Sequence, residues 1–97
     1  MHYILQYELV DDYVTKRAAF RQQHLSLISQ AHERGELVIA GALAEPVDAA
    51  ILVFRGPSPA PAEAFAKADP YVQNGLVKSW RVRQWMTVIG DGAKMPT

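Results

Sequence analysis

The chain of 97 residues contains no cysteine, which excludes disulfides, thiolate catalysis and cysteine-based zinc sites. No apolar run approaches the ~18 residues needed to span a bilayer. The N-terminus lacks the basic region and apolar core of a signal peptide, so the expectation is a soluble, cytoplasmic protein with no membrane partner. Neither sign of charge predominates: ten Lys and Arg balance ten Asp and Glu. With no basic run or face, no nucleic-acid partner is indicated. A Gly-rich phosphate loop is missing, since Gly90-Asp91-Gly92 lies in the tail with no helix to follow, and no Ser occupies a G-x-S-x-G elbow. The three histidines, His2, His24 and His32, have neither an H-E-x-x-H pattern nor a carboxylate cluster to support them. Neither a metal nor a cofactor is expected.

What is present reads as one domain over residues 1–97, with 91–97 as a mobile tail. A chain of this size buries somewhat over ~60% of its unfolded surface, enough for one core. Tyr3, Leu5, Tyr7 and Leu9 alternate with His2, Ile4, Gln6 and Glu8, which predicts a strand with one strongly apolar face. Asp11 and Asp12 break that pattern and can cap a long helix from Tyr13 to about Arg34, closed by Gly35 in the left-handed conformation. Leu37 to Ala40 is a second strand, with Gly41 marking a bulge or a place of close backbone approach.

Ala50 to Phe54, apolar on both faces, is a third strand and central in the sheet. The stiff loop of Gly56 to Pro61 leads into a short helix, Ala62 to Ala68, with Ser58 as a candidate N-cap and Pro59 at its first position. Asp69-Pro70 then starts one turn of helix ended by Gly75. Val77 to Arg83 alternates as a strand, and Trp85 to Ile89 continues it or forms another. This order gives an α+β, ferredoxin-like arrangement, an antiparallel sheet with helices on one face. The uncovered sheet face calls for a second subunit, hence a homodimer.

Chemistry concentrates on the long helix. At about 100° per residue, Phe20, Leu27 and Ala31 form a stripe with Ile28 at its edge, and His24 sits in the middle of it. Arg17 lies one turn earlier and Arg21 slightly further round. A lone imidazole there is either packed and hydrogen-bonded to a backbone carbonyl, or a base awaiting a partner. Asp69 is the candidate partner. It is a natural helix cap, and the same carboxylate can also orient the His24 ring and fix its tautomer. Tyr71 is a candidate pocket residue with Trp80 or Trp85. Ser26 points about 200° away from His24, which argues against a hydroxyl nucleophile.

Arg17 and Arg21-Gln22-Gln23-His24-Leu25, then Gly35-Glu36-Leu37, Ala40-Gly41, Asp69-Pro70-Tyr71, Gly75-Leu76 and Trp85 together resemble the YciI-like (YCII-related) proteins, from the first strand to about Val88. The resemblance implies a ferredoxin-like subunit of the dimeric α+β barrel kind and an active site built on a His and an Asp. Those roles fall on His24 and Asp69, with Arg17, Arg21, Gly41 and Tyr71 as substrate-binding candidates. Ala42 departs from the pattern, in which Pro often follows the Gly.

These residues point to general acid/base proton transfer, as in an isomerase or an elimination lyase, on a small organic acid, lactone or phenol. The competing reading is a dimer that binds a small ligand or covers a partner without turnover. In that case His24 is only a packing residue and Asp69 only a cap.

Overall fold

The computed structural model describes residues 1–93. Its elements run β1 (His2–Leu9), α1 (Tyr13–Lys16), a 3₁₀ turn (Arg17–Ala19), α2 (Arg21–Glu33), β2 (Leu37–Ala42), β3 (Ala49–Arg55), α3 (Ala60–Ala68), α4 (Pro70–Gln73) and β4 (Val77–Trp85). The four strands form one antiparallel sheet in the order β2-β3-β1-β4. This is the ferredoxin-like α+β order, and β3 is central, in keeping with its apolar character on both faces.

Alternation along β1 decides which sheet face meets the helices. Tyr3, Leu5, Tyr7 and Leu9 are buried together with Leu52 and Phe54 of β3, against Ala31, Ala62, Phe65, Ala66 and Tyr71 from the helices. The side chains of Ile4, Gln6 and Glu8 point to the opposite face. Their register partners Ile51 and Val53 on β3, and Arg81 and Arg83 on β4, point the same way. On that open face Ile39 is 67% exposed and Trp85 49% exposed.

The expected long helix is divided. Phe20 leaves helical geometry (φ −120°, ψ 0°), and its N–H donates to Arg17 O at 2.9 Å in the tight 3₁₀ manner. No Pro or Gly marks that break. Asp12 occupies the cap position of α1 without a side-chain cap bond; its carboxylate pairs instead with Lys16, one turn on, at 3.3 Å. Gly35 takes φ +79° and closes α2 as expected.

The third helix starts two residues earlier than expected, at Ala60, with Pro59 in the cap position. Ser58 Oγ accepts from the Ala60 N–H at 3.3 Å. β4 runs through to Trp85 as one strand. Of the tail, residues 94–97 lie outside those described. Ala93 N–H donates to Gly90 O at 3.0 Å, and Gly92 lies against the His2 ring.

Candidate functional site

Asp69 ends α3 and caps α4. Its extended backbone (ψ 122°) turns the chain, Pro70 fills a helical position that needs no donor, and the carboxylate accepts from the Tyr71 N–H at 3.0 Å. The side chain is fully buried, where a carboxylate is costly unless every oxygen is bonded. Two more donors meet that need. His24 Nδ1 on α2 reaches Oδ1 at 2.9 Å, and Tyr7 Oη on β1 donates to Oδ2 at 2.7 Å. Burial, followed by the negative charge and the hydrogen bond of Asp69, drives the Tyr7 phenol far above its ordinary pKa. It remains a neutral donor.

A carboxylate can only accept, so Nδ1 of His24 carries the proton and Nε2 is the free nitrogen. The ring is held from both sides. Tyr71 stacks on it at 3.8 Å with planes 11° apart, and Phe65 meets it edge-on at 6.4 Å.

A cavity of about 200 Å³ opens beside this group. Its polar wall carries His24, Tyr7, Tyr13, Tyr71, Arg17 and Arg21; its apolar wall carries Leu25, Ile28, Leu52 and three alanines. The Arg17 guanidinium lies 5.5 Å above the Tyr13 ring. Among the described residues neither arginine forms an ion pair with a carboxylate. Burial and the neighbouring Tyr13 push the Tyr71 phenol above its usual range, while Arg21 and Arg17 act in the opposite direction. Arg21 approaches without completing a bond, and Tyr71 Oη is left buried and unpartnered.

A larger hollow of about 490 Å³ lies on the open sheet face. Four of its polar side chains bond one another in pairs, Ser79 Oγ donating to Glu8 and Arg81 Nε to Gln6. Among the described residues no histidine lines it, and the His24–Asp69 pair lies beside the smaller cavity.

The structure thus brings His24 and Asp69 into contact and sets Arg17, Arg21, Gly41 and Tyr71 around one cavity. Two expectations change. Tyr71 stacks on His24 and does not share its pocket with Trp80 or Trp85. The bulge in β2 falls between Leu37 and Ile39, not at Gly41, where an added Cβ would meet nothing within 4 Å.

Tyr7 and Tyr13 were not anticipated at the site, because alternation marked Tyr7 only as core. The available signal was chemical: a buried tyrosine hydroxyl needs a partner. Among the described residues no three His, Asp or Glu side chains cluster as metal ligands. His2 Nδ1 instead bonds Thr87 Oγ1 at 2.8 Å, and His32 is exposed on the last turn of α2.

The family model of the YCII-related domain matches residues 1–86. The chain belongs to this family. Among solved structures, the chain is similar in fold to 5-chloro-2-hydroxyhydroquinone dehydrochlorinase (TftG) from Burkholderia phenoliruptrix AC1100, in complex with 2,5-dihydroxybenzoquinone. The TM-score is 0.74 at 15% identity, covering 97% of this chain and 100% of that one. Protein Atu4242 from Agrobacterium tumefaciens is also similar, with a TM-score of 0.57 at 15% identity over 99% of this chain and 100% of the other. At such identities the likeness establishes a shared fold. No curated protein matches the sequence. Among the described residues of this YCII-related chain, no helix is long and apolar enough to cross a membrane.

Proposed function

We propose that this YCII-related protein is a small-molecule enzyme in which His24 moves a proton as general base and acid and Asp69 orients it. The observation that carries this reading is the 2.9 Å bond from His24 Nδ1 to a buried carboxylate, with the imidazole at the wall of a cavity. Nε2 takes a proton from a carbon beside a carbonyl or from a ring hydroxyl. From carbon the electron pair moves onto the carbonyl oxygen to give an enolate; from a hydroxyl it stays on oxygen as a phenolate and moves into the ring as a ring carbon takes up the proton. From the enolate the proton returns at another carbon, or a leaving group on the neighbouring carbon departs with its pair. Arg17 and Arg21 favour the charge that develops on oxygen, and Gly41 and Tyr71 complete the binding wall.

Cavity size supports a small substrate. A cavity of ~150 Å³ can hold benzene, so about 200 Å³ suits one substituted six-membered ring. The dehydrochlorinase of similar fold, with its quinone complex, supports a lyase acting on a phenol or a cyclic dione.

We further infer a homodimer, with a second copy covering the open sheet face where Ile39 and Trp85 are exposed.

The test is incubation in D₂O with 5-chloro-2-hydroxyhydroquinone and with cyclic 1,3-diones, following chloride release and deuterium incorporation by NMR. Turnover in the wild type that is lost in His24→Gln is the expected result. Equal rates in both proteins would end the proposal and leave a binding dimer as the better reading.

A further inference from the structure

Tyr71 Oη is the one buried side-chain polar atom left without a hydrogen-bond partner among the described residues. The rest of the residue is tightly specified: its backbone N–H donates to the capping carboxylate of Asp69, its ring stacks on His24, and Tyr13 packs edge-on at 5.6 Å. A buried hydroxyl with no partner costs free energy, and this one belongs to a residue on the cavity wall. Arg21 and Arg17 act on the same hydroxyl from that wall. Among the described residues no Asp or Glu lines the cavity; the Asp69 carboxylate is spent on His24, Tyr7 and the Tyr71 N–H. A hydroxyl donor and two guanidinium groups with no carboxylate to answer them make a surface for negative oxygen. The alanines with Leu25, Ile28 and Leu52 make a surface for a hydrocarbon ring.

We propose that the cavity selects anionic ring compounds, namely carboxylates, phenolates or enolates, with the ligand's charged oxygen held by Tyr71 Oη together with Arg21 and Arg17. This rests on the reading of the cavity as the substrate site and narrows it to a class by charge. It also makes Tyr71 a specificity-determining residue. Without ligand its hydroxyl makes no bond of standard geometry and has Arg21 beside it, whereas the stack on His24 is already in place.

The experiment is NMR titration of the unmodified chain, Tyr71→Phe and Arg21→Met with benzoate and with benzamide, its neutral counterpart of similar shape. Benzoate is expected to bind at least about tenfold more tightly than benzamide to the wild type, and each substitution to weaken benzoate by about five- to tenfold. Tyr71→Phe should leave the unliganded protein as stable as the wild type or more so, because it deletes an unpartnered hydroxyl. Equal binding of the two probes overturns the proposal. So does benzoate binding unchanged in Tyr71→Phe, no saturable shift at millimolar benzoate, or a destabilised unliganded Tyr71→Phe.

The outcomes separate this proposal from the catalytic one. Anion-selective binding without proton exchange on any ring substrate defeats the general-base role alone. Proton exchange with no preference for anions defeats the charge selection alone.

Discussion

His24 and Tyr71 lie face to face, ring centroids 3.8 Å apart and planes 11° apart, and Asp69 Oδ1 receives a hydrogen bond from each: His24 Nδ1 at 2.9 Å and the Tyr71 backbone N–H at 3.0 Å. One oxygen therefore sets the imidazole's rotation while the stacked phenol sets its tilt.

Replacing Asp69 by Ala leaves three buried donors without an acceptor and removes the cap of α4. The expected loss is about 3–5 kcal/mol of stability. Asp69→Asn keeps the shape and an acceptor oxygen, so it should lose clearly less. Urea denaturation of both variants measures the difference, and equal losses would mean that shape alone matters at this position.

Tyr7→Phe deletes the donor to Asp69 Oδ2 and should cost about 1–3 kcal/mol. It should also alter alkaline stability. The Tyr7 phenol is held protonated in the fold, above its ordinary value of 10.0, so the unfolded chain releases that proton first. The contribution of Tyr7 is intact below about pH 10 and declines above it by up to about 1.4 kcal/mol per pH unit. Stability profiles from pH 8 to 11 should be flatter at the alkaline end in Tyr7→Phe; superimposable slopes would show that Tyr7 does not contribute.

Gly35 and Gly41 should answer differently to alanine. Gly35 sits at φ +79°, where an L side chain is strained, and Gly35→Ala should cost about 1 kcal/mol. Gly41 has open space at its Cβ position and no positive φ, so Gly41→Ala should change stability by less than about 0.5 kcal/mol. Thermal melts of the two variants provide the check, and a large loss at Gly41 would restore the close approach expected there.

Ile39→Lys places a charge at the most exposed large apolar side chain of the sheet, 67% exposed on β2. If a second copy covers this face, sedimentation should find a dimer in the wild type and a monomer in the variant, with the variant still folded by circular dichroism. A monomeric wild type would count against the dimer.

The fold was legible because its signals are periodic. Tyr3, Leu5, Tyr7 and Leu9 mark one sheet face by alternation, and Gly35 marks a helix end by its backbone freedom. Ala50 to Phe54 announces a central strand by being apolar on both sides. At the site, the helical stripe located His24, and cap chemistry located Asp69.

Their meeting is a tertiary fact across 45 residues of chain, which no local pattern encodes. Other features escaped for identifiable reasons. The break at Phe20 carries no Pro or Gly. The bulge at Val38 lies inside an ordinary apolar run. The bond from Tyr7 to Asp69 is hidden because a tyrosine on an apolar strand face reads as core.

The three donors on Asp69 have a consequence for how the protein folds. They come from β1, α2 and α4, at sequence separations of 62, 45 and 2 residues from the carboxylate. A partly assembled chain that buries Asp69 with only its local partner strands a charge in an apolar surrounding. Non-local contacts of this kind form after chain entropy has already been lost. The contact between His24 and Asp69 is therefore expected to form in the last stages of assembly, and the Tyr71 amide should be among the slowest to exchange with deuterium, opening only when the whole sheet does.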